Sequence, residues 1–482
     1  MGSETLYESQ HQLSITTALP ALNLTGPDSV CMESGNPRRE FDAILAAEDT
    51  PLSLPAVALR CPMNSKQNAS TRVLGFAFAL AFVALPAWAG SEYKVLHSFT
   101  HGHDGGYPQG PPTLDRKGNL YGAAGGGGGV GCAGNGCGVI YELTLLADGK
   151  WQEQVLHEFA GGADGAFPSG SPVFDTDGNL FGALEGDAGA ARSGIFELSG
   201  HSHGWQNTLI HSPGGCCPVP GPRDTLYGAI GQGKYQCGAI GELSPGSSGW
   251  SYTLLYSFCS QKGGADGWDP LAPLSWDAKG NLYGTTYFGG NSYSSGHLKY
   301  CLGSSGCGVA FQMTHNRDGS WTYHVLHRFA NFKTDGQYPY GGLTVDAKGN
   351  VYGTTTHGGK YDSGTVFELT PIAGGRWKQT VLYDFPNIYL GGAPGSNLLF
   401  DKAGNLYGVA GGGDLSCPQT CGVIFKLTPQ AGGKWNYSLA HKFNGTDGDG
   451  PNGLTMDGAG NLYGTTMSGG QYNYGVAFEL TP

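Results

Sequence analysis

The sequence is poor in charge: Asp, Glu, Lys and Arg make up 13% of its 482 residues, roughly half of the usual share. That scarcity excludes coiled coils, solvated acidic tails and helical bundles with ion-paired faces. Positive charge is the scarcer sign, because 26 Lys and Arg stand against 38 Asp and Glu, a net charge of −12. We therefore expect neither nucleic acid nor an anionic membrane surface as a partner.

Helical periodicity is missing from residue 92 onwards, whereas glycine and aromatic residues are abundant. The chain contains 85 Gly and 27 Pro, together with 25 Tyr, 21 Phe and 9 Trp. Apolar residues reach 39%, which is enough for a large core, and no collagen-like triplet period accompanies the glycines. These features indicate a large, turn-rich, all-β protein.

An apolar stretch near the start of the chain has the features of a secretory signal. VLGFAFALAFVALPAW spans Val73 to Trp88, follows the basic Arg72 and ends with small residues at the −3 and −1 positions of a cut after Ala89. A short basic region, a short apolar region and such a cleavage site are typical of signal peptides. A membrane span needs about 20 residues, so this stretch is short for one.

The signal divides the chain into three parts. Residues 1–62 are interpreted as an unstructured upstream lead, because they show none of the periodicity found later. Residues 63–89 are the predicted signal peptide, and residues 90–482 are the predicted exported domain, secreted or periplasmic and without a membrane span. A signal-anchor with a cytoplasmic lead is the alternative.

Ten of the 12 cysteines follow the signal, an even number that suits an oxidising compartment. Neighbouring pairs predict disulfides at hairpin tips: Cys132/Cys137, Cys301/Cys307 and Cys417/Cys421. Two more disulfides, of undetermined connectivity, would come from Cys216, Cys217, Cys237 and Cys259. A zinc site is the competing interpretation, but the CxxC pairs and His ligands that such sites use are absent from the sequence.

An internal repeat decides the fold class. The string DxxGN(L/V)(Y/F)G begins at Asp115, Asp175, Asp277, Asp346, Asp401 and Asp457. A degenerate copy at Arg223–Gly228 brings the number of copies to seven. Each copy holds four short β patterns, such as GTVFELTP and WxxxVLHxF, that alternate with period two. The xxG between Asp and Asn predicts a tight hairpin whose Asp carboxylate caps the turn.

Four strands repeated seven times predict a seven-bladed β-propeller with four antiparallel strands in each blade. Such blades bury both sheet faces against their neighbours, which explains the low charge content. The longest repeated link follows WxxxVLHxF, so it should join the outer strand of one blade to the inner strand of the next. On that phase, Glu92–Phe99 supplies the outer strand of the seventh blade by pairing with Gly475–Thr481, and the termini latch the ring.

The units resemble the Gloeo/Verruco-type repeat family of secreted bacterial proteins, whose units read like LHSFxxxxDGxxPxxGLxxDxxGNLYGTTxxGGxxxxGTVFxLTP. The likeness covers about 390 residues of the chain, and the GLxxDxxGNLY segment is also similar to the NHL-type propeller pattern. The resemblance implies export from a bacterial cell and a propeller-like architecture. It carries no established activity.

One face of the predicted ring combines two glycine-rich features, the DGxxP link between blades and the hairpin after each LYG. The link acids are first interpreted as turn residues, with calcium or ligand contact as the alternative: Asp104, Asp164, Asp266, Asp335 and Asp447. Aromatic rings on this face suit stacking on sugars, and packing over glycine-rich turns is the alternative. The candidate ligand-binding residues are Tyr107, Phe167, Trp268, Tyr293, Tyr338, Tyr361 and Tyr472.

A His-x-His-Asp string in the first link, His101, His103 and Asp104, is the candidate metal cluster. No cofactor is otherwise expected, with calcium or a transition metal as the alternative. Other histidines recur with the blade, which predicts structural roles for His97, His157, His327 and His441. The tryptophans that open the outer strands are predicted to pack between blades.

These observations predict a secreted, non-catalytic and monomeric propeller that binds an extracellular glycan or protein through its Gly/Tyr-rich loop face. A metal-dependent propeller lyase or lactonase is the first alternative. It needs acids or histidines that point inwards from the innermost strands, and runs such as GGLTVD offer only the Asp that the turn requires. A structural component of the cell envelope is the second alternative.

Overall fold

A computed structural model describes residues 91–482, except 130, 187–192, 201–203, 291–305, 331–332, 388–391 and 412–420. Its strands form seven blade sheets, each with four antiparallel strand layers, as the repeat predicts for a β-propeller. Within the described ranges, no helix is long and apolar enough to cross a membrane.

The first three blades follow one another along the chain. Blade 1 contains β2 Gly106–Pro108, β3 Thr113–Leu114, β4 Leu120–Gly126, β5 Val139–Leu145 and β6 Trp151–Glu158. Blade 2 contains β7 Pro168–Phe174, β8 Leu180–Leu184, β9 Gly194–Ser199 and β10 Gln206–His211. Blade 3 contains β11 Cys216–Pro220, β12 Leu226–Ala229, β13 Ala239–Ser244 and β14 Ser251–Ser257.

The next three blades repeat the plan. Blade 4 contains β15 Ser275–Trp276, β16 Leu282–Thr286, β17 Val309–His315 and β18 Trp321–Arg328. Blade 5 contains β20 Thr344–Val345, β21 Val351–Thr355, β23 Thr365–Ile372 and β24 Arg376–Asp384, and beside it lies the short pair β19 Gly336–Gln337 and β22 His357–Gly358. Blade 6 contains β25 Leu399–Phe400, β26 Leu406–Ala410, β27 Val423–Pro429 and β28 Trp435–Lys442.

Blade 7 joins the two ends of the described chain. Its strands are β29 Asp449–Met456, β30 Leu462–Ser468, β31 Val476–Thr481 and β1 Glu92–Ser98. β1 pairs antiparallel with β31, in a register that runs from Glu92 opposite Thr481 to Ser98 opposite Val476. The predicted latch between the N-terminal strand and the last repeat is therefore confirmed.

Short 3-10 turns interrupt the described loops at Cys132–Gly134, Gly162–Asp164, Pro222–Asp224 and Lys262–Gly264. The core lies between blades rather than within them. One hydrophobic cluster, for example, joins Tyr121 and Ile140 of blade 1 to Leu180 and Phe196 of blade 2. Because both faces of each sheet are covered in this way, few strand positions remain for charged side chains.

The latch strand is held by an aromatic cluster as well as by backbone pairing. The ring of Tyr93 in β1 stacks on His441 with the centroids 3.9 Å apart and the planes 3° from parallel. The same ring contacts Phe443 and Phe478. Its hydroxyl donates to the carbonyl oxygen of Asp447 at 2.6 Å. This one side chain therefore ties the N-terminal strand to blades 6 and 7.

Tyr93→Ala should lower the free energy of unfolding by about 3 kcal/mol, because it removes a partly buried ring and leaves a cavity at the latch. Chemical denaturation monitored by circular dichroism would measure the change. Lys94→Ala, an exposed neighbour on the same strand, is the matched control and should change stability by less than about 0.5 kcal/mol. Equal, small effects of the two substitutions would contradict a stabilising role for the latch cluster.

Candidate functional site

The link between blades and the hairpin between the second and third strands meet on one face, which we call the link face. The backbone N–H of Gly128 in the blade 1 hairpin donates to the Gly102 carbonyl of the link at 2.8 Å. In blade 5, Gly359 donates to the Asp335 carbonyl at 2.7 Å. Gly358 has a φ of +80°, and a Cβ there would lie 2.8 Å from that same carbonyl oxygen, so only glycine fits this crossing.

Five of the seven links between blades carry an Asp that is bound to the outer strand before it. His327 Nε2 lies 2.9 Å from an Asp335 oxygen, and His441 Nε2 lies 3.0 Å from Asp447. The same contact joins two other pairs, His97–Asp104 and His157–Asp164. In blade 3 a tyrosine takes the place of the histidine, and the Tyr256 hydroxyl donates to Asp266 at 2.8 Å.

These link acids also cap the turn that follows the strand. Asp104 accepts the backbone N–H of Thr100 at 2.9 Å, and Asp164 accepts that of Ala160 at 2.8 Å. Burial raises the pKa of Asp104, but the hydrogen bonds from His97 and Thr100 outweigh it and hold the pKa below its ordinary value. The acids and the repeated histidines thus have a structural role on the link face, because they fix each link to the outer strand before it.

The opposite face carries the DxxGN turns. In blade 5, one Asp346 oxygen accepts the backbone N–H groups of Lys348 and Asn350, each at 2.8 Å, and the other accepts the Asn350 side-chain amide at 2.9 Å. The same arrangement recurs at Asp115, Asp175, Asp277, Asp401 and Asp457. Each of these carboxylates accepts hydrogen bonds from its own turn. The remaining candidates for ligand binding within the repeat therefore lie on the link face.

Asp401→Ala should cost about 1 kcal/mol of stability at neutral pH, because it removes the acceptors of this turn. Burial raises the pKa of Asp401, but hydrogen bonds from Asn405 and the backbone N–H of Ala403 hold it below its ordinary value. A depressed folded-state pKa stabilises the protein above the unfolded value of about 3.9 and loses that contribution as the pH falls. The difference between wild type and variant should therefore shrink below pH 4.

Urea denaturation at pH 7 and pH 3.5 would measure that difference. Asp177→Ala is the matched control, because Asp177 occupies an exposed position inside the equivalent blade 2 turn. A difference for Asp401→Ala that stays constant down to pH 3.5 would show that its carboxylate does not act as the ionised cap.

The structure exposes most of the candidate ligand-binding aromatics that it describes. Tyr107, Trp268, Tyr361 and Tyr472 all have exposed side chains, and Phe167 is half-buried. Tyr293 lies outside the described residues.

Tyr338 differs from the other candidates. It is 4% exposed, because its ring packs against Tyr287, Phe288 and His357. Tyr340, two residues further on, is 50% exposed and is not among the candidates. The sequence signal for Tyr340 is the YPY string at residues 338–340. Residues two apart lie on the same strand face only in a straight strand, so the burial of Tyr338 does not imply the burial of Tyr340.

The backbone holds two of these rings in fixed positions. Tyr107 and Phe167, each followed by a proline, both have a φ of +55°. The backbone N–H of Tyr107 donates to the Tyr474 carbonyl at 2.8 Å, and that of Phe167 donates to the Cys137 carbonyl at 2.7 Å. Each ring is therefore presented by a turn that is hydrogen-bonded to the preceding blade.

Tyr107 and Phe167 meet in a cleft of about 290 Å³ where blades 7, 1 and 2 adjoin on the link face. The cleft is completed by Gln109, Gly125, Pro168, Glu185 and Met467. Gln109 donates its amide to the Tyr107 carbonyl at 3.1 Å. Two rings, a carboxamide and a carboxylate therefore line one depression. The sequence alone did not identify Gln109, Glu185 and Met467. Glu185 and Met467 hold the same place in the repeat, directly after LFGAL and LYGTT, but their residue types differ, so only that shared position could have marked them.

A second cleft, of about 530 Å³, lies on the outer rim between the outer strands of blades 4 and 5. Gln312, His324, Arg328, Arg376 and Trp377 are among its lining residues. This cleft is larger, but it is built from edge-strand side chains without the fixed aromatic turns of the link face. We therefore take the smaller cleft as the candidate site.

The three candidate metal residues each contact different partners. The ring of His101 stacks on Tyr474 at 4.7 Å, and His103 Nδ1 lies 2.9 Å from Glu158. Asp104 is bound to His97 and Thr100. In the part of the chain that the structure describes, no group of three or more His, Cys, Asp or Glu side chains could hold a metal ion.

The described cysteines divide into bonded and free. Cys132 is bonded to Cys137 and Cys237 to Cys259. Cys307 and Cys421 are disulfide-bonded as well, whereas Cys301 and Cys417 lie outside the described residues. Cys216 and Cys217 are free. The four cysteines expected to give two disulfides therefore give one, because Cys259 follows the outer strand of the blade whose hairpin holds Cys237.

Residues 298–482, which include β17 and β18 of blade 4 and everything that follows them in the chain, match the family model of the Gloeobacter/Verrucomicrobia repeat. Over these residues the chain is similar to that repeat family. No curated protein matches the chain.

Two solved structures are similar to this propeller. A Thermus thermophilus protein described as a candidate oxidoreductase (glucose dehydrogenase) is 15% identical, with a TM-score of 0.37, over 81% of this chain and 100% of its own. A Lactobacillus plantarum protein is 14% identical, with a TM-score of 0.43, over 73% of this chain and 98% of its own.

Proposed function

We propose that the propeller is an exported, non-catalytic binding domain whose link face takes an extracellular glycan in the cleft between Tyr107 and Phe167. The observation that carries the proposal is the convergence of two fixed rings with Gln109 and Glu185 in that one cleft. Flat apolar rings stack on the C–H faces of sugars, while carboxamide and carboxylate groups bind hydroxyls.

Three features support a binding role over catalysis. The Tyr107 ring is exposed while its backbone is held, because its turn is hydrogen-bonded to Tyr474. The repeated acids of the links and turns are occupied by structural hydrogen bonds, for example Asp335 with His327. Further exposed rings at Tyr340, Tyr361 and Tyr472 extend the link face around the ring, as a chain-like ligand would require.

Export is supported by the disulfides. Cys132–Cys137 and Cys237–Cys259 both form on the link side of their blades. Disulfides persist in secreted and periplasmic proteins and are rare in the cytosol. An oxidising compartment agrees with the predicted signal at residues 63–89, which lies outside the described residues.

Glycan-array binding of the mature domain, followed by titration of the best ligand, tests the proposal. Tyr107→Ala and Gln109→Ala should each weaken binding about three- to tenfold, because a stacked ring or a hydroxyl contact contributes about 0.5–1.5 kcal/mol. Leu145→Ala, an exposed apolar residue of the hairpin on the opposite face, is the matched control and should leave the affinity unchanged. Unaltered affinity in both cleft variants would place the ligand elsewhere.

Removal of divalent cations separates this proposal from calcium-dependent recognition. We expect affinity for the best glycan to be the same after dialysis against a chelator as in the presence of calcium, because the link acids are bound by protein donors. Isothermal titration of the two samples makes the comparison. A loss of binding that added calcium restores would instead assign the link acids to a metal.

A further inference from the structure

Blade 3 departs most from the repeat, and its inner strand opens with two adjacent cysteines. Cys216 and Cys217 begin β11, and the pairing of this strand with β12 shifts register between Cys216 and Val219. The two sulfur atoms approach one acceptor, since Cys216 Sγ lies 3.3 Å and Cys217 Sγ 3.5 Å from the carbonyl oxygen of Leu271. Adjacent thiols therefore converge on a single point at the link face.

This pair stands apart from the other described cysteines, all of which are disulfide-bonded: Cys132, Cys137, Cys237, Cys259, Cys307 and Cys421. Cys216 and Cys217 are both free and half-buried. Gly170 of blade 2 is a neighbour of the pair, because a Cβ there would lie 4.0 Å from Cys217 Sγ, an ordinary van der Waals contact. An environment that oxidises the other thiols would act on this pair too.

We propose that Cys216 and Cys217 form a thiol–disulfide exchange site that closes into a vicinal disulfide when it meets a small-molecule disulfide. The thiolate of Cys217 attacks one sulfur of that disulfide, forms a mixed disulfide and releases one small thiol. Cys216 then attacks the Cys217 sulfur, forms the intramolecular bond and releases the second small thiol. The two electrons and two protons of the protein thiols pass to the small-molecule disulfide, which is reduced.

The order of attack follows from the surroundings of the two thiols. The hydrogen bond with Cys217, together with burial, raises the pKa of Cys216. The negative charges of Asp269 and Glu185 raise it further, so Cys216 is the poorer first nucleophile. The same acids disfavour the approach of an anionic disulfide, and a neutral one should react more readily.

Formation of the vicinal disulfide would change the link face as well as the two thiols. The Leu271 carbonyl would lose both of its S–H donors when the two sulfurs bond to each other. Leu271 belongs to the link that also carries Trp268 and Asp269. Oxidation of the cysteine pair would therefore change the hydrogen bonds of this link and, through the link, affect the aromatic surface.

Native full-length protein, first treated with a mild reductant, would be exposed to bis(2-hydroxyethyl) disulfide, quenched in acid and alkylated with N-ethylmaleimide. We expect the peptide that contains both cysteines to lose two hydrogen atoms, to take up no N-ethylmaleimide and to carry no hydroxyethyl adduct. Isolation of the protein with this bond already present would support the proposal equally. The Cys132–Cys137 and Cys237–Cys259 peptides serve as internal standards for the selectivity of the reductant.

Cys216→Ser and Cys217→Ser provide the matched controls, because each leaves one thiol without a resolving partner. Either variant should accumulate a stable hydroxyethyl adduct on its remaining cysteine. A stable adduct on the wild-type pair, or two wild-type thiols that stay open to N-ethylmaleimide, would overturn the proposal. The wild-type result decides the matter even where a variant fails to fold.

Discussion

The whole structure depends on the burial of both faces of every blade between its neighbours. The second strands show this most plainly, since β8, β16, β21 and β26 are buried at every residue. A single four-stranded sheet of such composition would expose two apolar faces to water, so no blade is stable alone. Ring closure is therefore a condition for folding, and the N-terminal strand of blade 7 satisfies it by pairing with the free edge of β31.

The repeated polar residues follow from the same constraint. Because the sheet faces are apolar, backbone carbonyl groups where two blades meet are satisfied by small side chains, and threonines of the LYGTT strands do this. Thr354 Oγ1 donates to the Ser396 carbonyl of the next blade at 3.1 Å, and Thr465 Oγ1 donates to the Gly110 carbonyl at 2.8 Å. At the outer edge, the Trp250 ring packs on Phe181 of the preceding blade. These recurrent elements of the unit thus connect one blade to another.

The sequence was sufficient for the parts of the structure that local chemistry determines. Period-two strands and the Asp-capped turns predicted the seven blades, and the phase of the longest link predicted that Glu92–Phe99 would close blade 7. Exposure of individual rings was harder to predict. Tyr338 is buried because Tyr287 and Phe288, from the hairpin of the preceding blade, fold over it, and nothing within the link itself indicates that contact.

Function in a symmetric scaffold must come from positions where the repeats differ. Tyr107, Phe167 and Tyr338 precede a proline in equivalent links and share nearly the same φ, yet the first two line a cleft and the third is core. The difference arises from the hairpin of the preceding blade, which supplies Gly125 for Phe167, Met467 for Tyr107 and Tyr287 for Tyr338. The glycine and the methionine leave the ring before the proline open to a ligand, whereas the rings of Tyr287 and Phe288 cover Tyr338. Binding specificity on this face can therefore change through substitutions in the hairpins, while the turns that keep the propeller closed stay the same.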